Sequence, residues 1–336
     1  MRIIIKLSWV LIITFCIASC NRNPLKINIS GITDEVEIIR FEQELISWGT
    51  TPTWGQLNSL RDGHPDFTDL FTDHIIRLGV LDNEETVKGI HLFLKDTMIS
   101  SLYRIVEKRF SDFDPVQKKL VGAFKHYSYY FPDKPLPKIY TCISGFNQSA
   151  FVADGLVGIS LEKYLGENTA YYPMLGFPRY KQRKMIPEMI PSDVMYVWAM
   201  GEFEIGENAT TLLDHIVYEG KLLYFMEAMM PTAHDSLLTG FTAKQVDWCR
   251  KNETQMWTFL IENEMLYSTR NMDIVRYIND GPQTNSFPPE SPGRTGAWIG
   301  WQIIRKYMKR NPEVTLYELM ANKNYQEILN ASAYLP

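Results

Sequence analysis

Two residues that can bind a metal ion or exchange a proton lie one turn apart in a predicted helix. His215 and Glu219 are four positions apart within residues 210–230, whose apolar residues follow helical spacing. Side chains at this spacing lie on one side of a helix, and both types bind zinc. They supply only two ligands, and the His-Glu-x-x-His signature of zinc proteases is absent from the sequence. A hydrogen-bonded structural pair is therefore favoured over a metal site at His215 and Glu219.

A second polar group precedes a helix predicted over residues 292–309. Ser291 is a typical helix cap, and Pro292 suits the first helical position. Arg294 follows them and can pair with a carboxylate or another anion beside the free N–H groups of the first turn. Glu290 stands directly before this group. Structural capping and anion binding are both open interpretations, and capping is favoured.

Small residues in the same helix indicate a close helix contact. Gly296 and Gly300 are four positions apart, so they lie on one side of the helix. Without side chains they allow another element to approach closely. The same spacing occurs in membrane helix dimers, but this segment is too polar to span a bilayer.

Cationic and aromatic residues alternate between residues 166 and 191, which are predicted to form a long ordered loop with a short helix. This stretch contains Tyr171, Tyr172, Phe177, Arg179, Tyr180, Lys181, Arg183 and Lys184. It is interpreted as a solvated loop, with binding of a polymer or partner as the alternative. Asp193, Glu202 and Glu204 are candidates for an acid–base pair, but their spacing indicates no particular reaction.

The first 20 residues have the pattern of a bacterial lipoprotein signal. Arg2 and Lys6 precede an apolar stretch of 12 residues, 7–18, whereas a membrane-spanning helix needs about 20. The small residues Ala18 and Ser19 then precede Cys20, which resembles a lipobox. The pattern predicts cleavage before Cys20, a diacylglycerol on its sulfur and an acylated amino group. An ordinary secretion signal with an incidental cysteine is the alternative.

These features predict three parts of the chain: a signal peptide over 1–19, a lipidated cysteine with a tether over 20–32, and a single domain over 33–336. Several acyl chains bind a membrane far more strongly than one. We therefore expect a lipid-anchored protein of the cell envelope that faces the periplasm, on either the inner or the outer membrane. No cofactor other than the covalent lipid on Cys20 is expected.

Composition excludes several classes of protein. The chain has 336 residues with 34 Lys and Arg against 39 Asp and Glu, a net charge of −5, which argues against nucleic acid as a partner. Its 45% hydrophobic residues exclude a disordered chain. Four cysteines are too few for a disulfide scaffold of this length. Cys142 and Cys249 are predicted to be buried free thiols, with a disulfide between them as the alternative.

The pattern of apolar and turn residues predicts an α+β fold that is mainly α-helical, in one compact domain with a small antiparallel sheet. Strands are predicted over 36–41 and 138–144, and a hairpin over 151–160 with Asp154-Gly155 at its turn. The principal helices are predicted over 66–78, from Asn83 to 98, and over 101–110, 115–130, 192–203, 210–230, 242–264, 292–309 and 315–329.

Several motifs together resemble a known family. They are Ile38-Ile39-Arg40-Phe41, Ala123-Phe124-Lys125-His126-Tyr127, Thr141-Cys142-Ile143-Ser144-Gly145-Phe146, Glu219-Gly220-Lys221-Leu222-Leu223-Tyr224 and Glu290-Ser291-Pro292-Gly293-Arg294-Thr295-Gly296. With the lipobox, they resemble the gliding motility-associated lipoprotein GldB family of the Bacteroidota. The resemblance implies a palmitate-bearing envelope lipoprotein needed by gliding machinery, which is linked to protein secretion. It implies no reaction, and many members occur in bacteria not known to glide.

A fainter resemblance connects the order of elements to predicted zinc-dependent proteases. It implies a zincin-like scaffold in which Glu219 matches the downstream zinc-binding glutamate and residues 192–204 match the zinc-binding helix. That segment contains no histidine, so the usual metal centre is absent from it. The resemblance implies a cleft that can hold an extended peptide beside the hairpin, with candidate residues His215, Glu219, Tyr224, Glu290 and Arg294.

Three functions remain as hypotheses. The first is a non-enzymatic lipoprotein that assembles or stabilises gliding motility or protein-secretion machinery, with other envelope lipoproteins or motility and secretion proteins as partners. The second is a metal-dependent hydrolase with a non-standard site at His215 and Glu219. The third is a glycan-binding lipoprotein that uses a surface rich in tyrosine and tryptophan.

Overall fold

The computed structural model describes residues 23–336, and the predicted signal peptide and Cys20 lie outside the described residues. The helices before the second strand are α1 (Phe41–Ser47), α2 (Trp54–Gly63), α3 (Pro65–Asp69), α4 (Glu84–Lys95), α5 (Thr97–Arg109) and α6 (Asp114–Tyr130). Those after the last strand are α7 (Tyr171–Met174), α8 (Arg179–Gln182), α9 (Ile190–Glu202), α10 (Leu212–Met229), α11 (Asp235–Thr239), α12 (Ala243–Lys251), α13 (Glu253–Glu262), α14 (Asn271–Ile278), α15 (Thr295–Arg310), α16 (Leu316–Ala321) and α17 (Tyr325–Ser332). The prediction of a mainly helical α+β fold is confirmed.

A four-stranded sheet consists of β1 (Glu37–Arg40), β2 (Lys138–Cys142), β3 (Ala150–Ala153) and β4 (Leu156–Ser160), in the order β1-β2-β4-β3. β1 pairs with β2 and β2 pairs with β4 in parallel, and only β3 is antiparallel to its neighbour. The prediction of an antiparallel sheet is therefore wrong for most of the sheet. Helices α1–α6 separate β1 from β2, and a connection of this length allows parallel pairing.

The hairpin is confirmed. Ala153 pairs with Leu156, which leaves Asp154-Gly155 as a two-residue turn, and Gly155 has a φ of +68°. A left-handed conformation in such a turn favours glycine. This turn fixes the register of β3 and makes β3 the edge of the sheet.

Helix α10 is the central element of the helical part. Thr211 caps it: its side chain accepts a hydrogen bond from the Asp214 N–H at 3.2 Å, and the Asp214 carboxylate accepts one from the Thr211 N–H at 2.8 Å. This capping box satisfies N–H groups that the first turn leaves free. Almost every residue of α10 from Ile216 onward is buried. The helix therefore passes through the core, and its polar residues require partners there.

Helices α10 and α15 make an unusually close contact. A Cβ atom placed on Gly300 would lie 1.8 Å from the carbonyl oxygen of Ile216, and one placed on Gly220 would lie 2.2 Å from the carbonyl carbon of Gly300. Gly296 lies against the carbonyl oxygen of Tyr277, where its Cβ would be 2.9 Å away. The close approach predicted for Gly296 and Gly300 is confirmed, and Gly220 is its counterpart on α10.

Some predicted helices differ from those in the structure. The stretch 242–264 forms α12 and α13, which are separated at Asn252, whose side-chain amide donates to the Trp248 carbonyl at 2.8 Å. The stretch 315–329 forms α16 and α17. The stretch 66–78 forms α3 and a π-helix (Leu70–Ile75). Apolar periodicity runs through these breaks, so it does not reveal them.

Two further sequence predictions concern single residues and the membrane. Cys142 and Cys249 are buried free thiols, as predicted, and burial raises the pKa of both. No helix within residues 23–336 combines the length and the apolar character that a bilayer crossing requires. The division of the chain into signal peptide, tether and single domain stays a prediction.

We expect Gly300→Ala to lower the free energy of unfolding by more than about 3 kcal/mol, because its new methyl group meets main-chain atoms that cannot move aside as a side chain would. The control is Gly122→Ala in α6, where a Cβ has no atom within 4 Å. That change should stabilise the protein by up to about 1 kcal/mol, through helix propensity alone. Urea denaturation measures both. Equal stability of the two variants would contradict the close contact.

Candidate functional site

The candidate site centres on Glu219, a carboxylate within the buried helix α10. Its side chain is 10% exposed. One oxygen, Oε2, accepts a hydrogen bond from Arg294 Nη2 at 2.7 Å. The hydroxyl of Tyr196, on α9, donates to Oε1 at 3.0 Å and lies 3.2 Å from Oε2. Both carboxylate oxygens therefore have partners, as a buried charge requires.

Arg294 reaches Glu219 from a strained position directly before α15. Its φ is +59°, in the left-handed region that is uncommon for a residue other than glycine. Its guanidinium also lies over the ring of Tyr196, with 5.3 Å between the guanidinium carbon and the ring centre. Burial lowers the pKa of Arg294, but the charge of Glu219, its hydrogen bond to Arg294 and the nearby Tyr196 together outweigh burial and hold that pKa above its usual value.

The predicted cap of this helix is wrong. α15 begins at Thr295, and Ser291 is not its cap. The Ser291 hydroxyl instead accepts from the Thr284 N–H at 3.4 Å, and the Thr284 hydroxyl donates to the Pro292 carbonyl at 2.9 Å. These bonds hold the chain in a turn up to Arg294, so helical geometry starts three residues later than the sequence indicates.

Tyr196 and Asp193 lie one turn apart on α9. The hydroxyl of Tyr164 donates to Asp193 Oδ2 at 2.8 Å. Burial raises the pKa of Asp193 to about 6, although the hydrogen bond from Tyr164 and the charges of Lys184 and Arg294 oppose the shift. Burial and the charge of Glu219 raise the pKa of Tyr196, which therefore stays a hydrogen-bond donor at neutral pH.

One side of α9 is not covered by the core. Asp193, Tyr196 and Val197 are partly exposed, and Met200 is 42% exposed. These residues are spaced i, i+3, i+4 and i+7, so they form one stripe along the helix. We call this stripe the α9 face. Glu219 and Arg294 adjoin it through Tyr196.

The edge strand β3 packs on the same helix. A Cβ placed on Gly201, near the end of α9, would lie 3.0 Å from Cγ1 of Val152. Ser149, which precedes β3, borders the same cavity as Asp193 near the start of α9. The strand therefore runs along α9 in the same direction, and the α9 face lies beside its free edge.

The free edge of β3 presents unused main-chain hydrogen-bonding groups. The Ser160 N–H donates to the Ser149 carbonyl at 2.8 Å, and hydrogen-bonded pairs alternate along an antiparallel ladder. The N–H and C=O groups of Ala150 and Val152 therefore point away from β4. No hydrogen bond within residues 23–336 uses them. We call this edge and the α9 face together the β3 groove.

The predicted site residues do not all come together. Glu219 and Arg294 are in direct contact, whereas Glu290 is exposed and forms no hydrogen bond or ion pair with them. Tyr224 is buried farther along α10, where burial and then the charge of Glu227 raise its pKa. His215 lies one turn before Glu219 and burial lowers its pKa. The favoured hydrogen-bonded pair of His215 and Glu219 is wrong, because Tyr196 and Arg294 occupy the Glu219 carboxylate.

Tyr196 is a site residue that the sequence patterns do not single out. A signal was present, because Tyr196 lies three positions after the candidate Asp193 and is therefore on the same side of the predicted helix. Asp193 and Glu202 are not an acid–base pair, since they lie at opposite ends of α9. Glu202 instead accepts hydrogen bonds from the Tyr127 hydroxyl at 3.1 Å and from Lys134 at 2.5 Å.

The donor set does not favour a metal ion at His215 and Glu219. Within residues 23–336, no three His, Cys, Asp or Glu side chains are grouped so that they could hold a metal. A zinc ion needs three or four such ligands from the protein. Glu219 would also have to leave Arg294, and the buried guanidinium would then lack its carboxylate.

The aromatic residues of the loop 166–191 differ in burial. Tyr172 is fully buried, and its ring lies 6.1 Å from that of Phe177 and 6.2 Å from that of Phe146. The cations Arg179, Lys181 and Arg183 are exposed. The loop contains the short helices α7 and α8, and it presents its cations together with the partly exposed Tyr171, Phe177 and Tyr180 to solvent.

Comparison with known proteins shows the family of this chain. A family model described as "Gliding motility protein GldB" matches residues 22–336. The chain belongs to the GldB family. No curated protein and no solved structure matches it significantly. Membership associates this GldB-family chain with gliding motility and with the lipoproteins of the cell envelope.

We expect Arg294→Met in this GldB-family chain to lower the free energy of unfolding by about 3–5 kcal/mol, because it leaves the Glu219 carboxylate buried without its cation. Adding Glu219→Gln should restore most of that loss, since the buried charge is then gone while Tyr196 keeps an acceptor. Lys88→Met, at an ion pair with Glu84 whose side chains are 74% and 90% exposed, is the control and should cost less than about 1 kcal/mol.

Urea denaturation of the single and double variants completes the cycle. A double variant no more stable than Arg294→Met would contradict a direct interaction between Glu219 and Arg294.

Proposed function

We propose that this chain is a non-enzymatic lipoprotein that holds an extended segment of a partner protein in the β3 groove and so assembles or stabilises gliding motility or associated protein-secretion machinery. The observation that carries the proposal is the free edge of β3 beside the α9 face. An extended peptide adds to such an edge through main-chain hydrogen bonds, and neighbouring surfaces then select its side chains.

The groove has the parts that this kind of binding needs. Ala150 and Val152 each offer one N–H and one C=O group to a new strand. Val197 and Met200 offer apolar surface to alternate side chains of that strand, and Met200 adapts its shape to different partners. An exposed strand edge also promotes unwanted pairing between copies of a protein. A partner segment on this edge would remove that hazard.

The Glu219–Arg294 pair supports a role without catalysis. The faint resemblance to zinc-dependent proteases implies a zincin-like scaffold, with α9 as the helix beneath the edge strand and Glu219 supplied by the next long helix. In this chain the segment 192–204, which includes α9, contains no histidine, and Asp193 and Tyr196 are polar residues on that helix. The guanidinium of Arg294, 2.7 Å from Glu219, supplies the positive charge that a metal would supply there. The scaffold then keeps its groove and lacks a Lewis acid.

The lipid on Cys20 is the proposed attachment to the envelope. The described chain begins at Asn23, whose side-chain amide donates to the Pro231 carbonyl at 3.2 Å. Three residues span at most about 10 Å, so an anchor at Cys20 would hold the Pro231 side of the protein close to the bilayer. Attachment through acyl chains is consistent with the net charge of −5, which favours no binding to anionic headgroups.

We expect Cys20→Ala to move the protein from the membrane fraction to the soluble fraction of the envelope, because its acyl chains are the proposed anchor. Fractionation followed by immunoblotting measures the change. Cys16→Ala, within the predicted signal peptide, is the matched control and should leave the protein in the membrane fraction. Unchanged membrane attachment of Cys20→Ala would contradict the lipid anchor.

We expect Ala150→Pro to weaken binding of extended peptides at least about tenfold without loss of stability. Proline removes an N–H group that faces away from β4, and it is tolerated at the first residue of an edge strand. Ala150→Val keeps that N–H and is the control. Binding is measured by fluorescence anisotropy with peptides selected from a randomised octapeptide library, and thermal unfolding checks the fold. Equal affinities of both variants would contradict pairing with β3.

A further inference from the structure

A small charged cavity lies at the start of β3. It has a volume of about 260 Å³, and Ser149, Lys163, Lys181, Lys184 and Asp193 are among its lining residues. Ser149 directly precedes the strand, so the cavity continues the β3 groove at one end. A peptide bound along β3 would place one of its own ends there.

Lys163 is unusual among the residues of this cavity because it is a buried lysine. It is 8% exposed, and its ammonium nitrogen lies 4.2 Å from the centre of the Phe177 ring. Within residues 23–336 it has no hydrogen bond and no ion pair. Its neighbour Glu162 turns away and accepts hydrogen bonds from Ser144 and Phe146. Burial lowers the pKa of Lys163, and a nearby anion would oppose that shift by favouring the charged ammonium.

The other charges of the cavity largely cancel. Lys184 pairs with Asp280 at 2.6 Å, and Asp193 is held by the Tyr164 hydroxyl. Lys181 is exposed and has no ion pair within the described chain. Lys163 and Lys181 therefore remain as cations without a partner, against the single carboxylate of Asp193. A ligand group that completes this arrangement carries a negative charge.

Charge also decides the direction in which a peptide would lie. A peptide parallel to β3 would bring its positively charged N-terminus to this cavity, next to Lys163 and Lys181. An antiparallel peptide would bring its C-terminal carboxylate there instead, and antiparallel pairing is also slightly more stable per residue. Both effects favour the antiparallel direction.

We propose that the cavity at Ser149 binds the C-terminal carboxylate of a peptide that pairs antiparallel with β3, and that Lys163 is the residue that selects it. The inference rests on the proposed function of the β3 groove and adds the class of partner. That partner is a protein whose extended C-terminus ends at Lys163. Binding of a C-terminal carboxylate beside an added strand is a known way for a protein to recognise the C-terminus of its partner.

The test uses the full chain, anchored in nanodiscs, and randomised octapeptides with a fluorescent label at the N-terminus. The peptides are made in two forms, with a free C-terminal carboxylate and with a C-terminal amide. After affinity selection, the enriched sequences are synthesised in both forms and measured by fluorescence anisotropy. We expect the carboxylate form to bind about tenfold or more tightly, because a charge-assisted hydrogen bond is lost in the amide.

Two variants assign that difference to the cavity. Lys163→Gln should bring the affinities of both forms within about twofold of each other and leave the affinity for the amide unchanged. Lys181→Gln, at an exposed position, should reduce the difference in part and gives a second measurement if Lys163→Gln folds poorly. Lys309→Gln, an exposed lysine on α15, is the matched control and should keep the full difference.

The outcomes separate this inference from the proposed function. Equal binding of both forms to the wild type, with both lost in Ala150→Pro, would keep the β3 groove and overturn carboxylate selection. Amide peptides that bind as tightly when they end in Asp or Glu would overturn selection of the C-terminus, since a side chain then supplies the carboxylate. Selection of no peptide in either form would overturn both.

Discussion

The contact between α10 and α15 determines where Glu219 and Arg294, the charged centre of the candidate site, lie. Gly220 and Gly300 allow the two backbones to meet with no side chain between them. Glu219 is adjacent to Gly220, and Arg294 begins the approach to α15, so the same contact brings their side chains to 2.7 Å. A larger residue at either glycine would separate the helices and leave a buried carboxylate without its cation.

The ion pair between Glu219 and Arg294 sets the charge and the hydrogen bonding of the candidate site. The Glu219 carboxylate is satisfied by a guanidinium and a tyrosine hydroxyl, so a metal ion would have to displace Arg294 to bind it. The pair is also directional, because Arg294 holds Glu219 from one side and Tyr196 from the other. It fixes α9 against α10 and keeps the α9 face open beside β3. In the proposed function this cluster keeps the groove in shape.

The groove and the cavity at Ser149 are related through the sheet. β3 is antiparallel to β4 and lies at the edge, so its free groups face the same side as the stripe on α9. The hairpin turn at Gly155 sets the register in which the N–H and C=O groups of Ala150 and Val152 point away from β4. Lys163 follows β4 closely in sequence and reaches the cavity at the beginning of β3. The β3–β4 hairpin thus positions both the free edge of β3 and the charge of Lys163 beside the start of that strand.

The sequence by itself determined the features that depend on residues close together in the chain. These are the amphipathic helices, the two-residue turn at Asp154-Gly155, the helix side without side chains at Gly296 and Gly300, and the GldB motifs around Glu219 and Arg294. Tertiary structure alone decided which strands pair in parallel, because pairing across α1–α6 leaves no local pattern. The tertiary structure also decided that the Glu219 carboxylate accepts hydrogen bonds from Arg294 and Tyr196 instead of His215, although His215 is nearer in sequence. A buried charge is neutralised by whichever partner the packing brings within reach, and spacing along one helix does not show which partner that is.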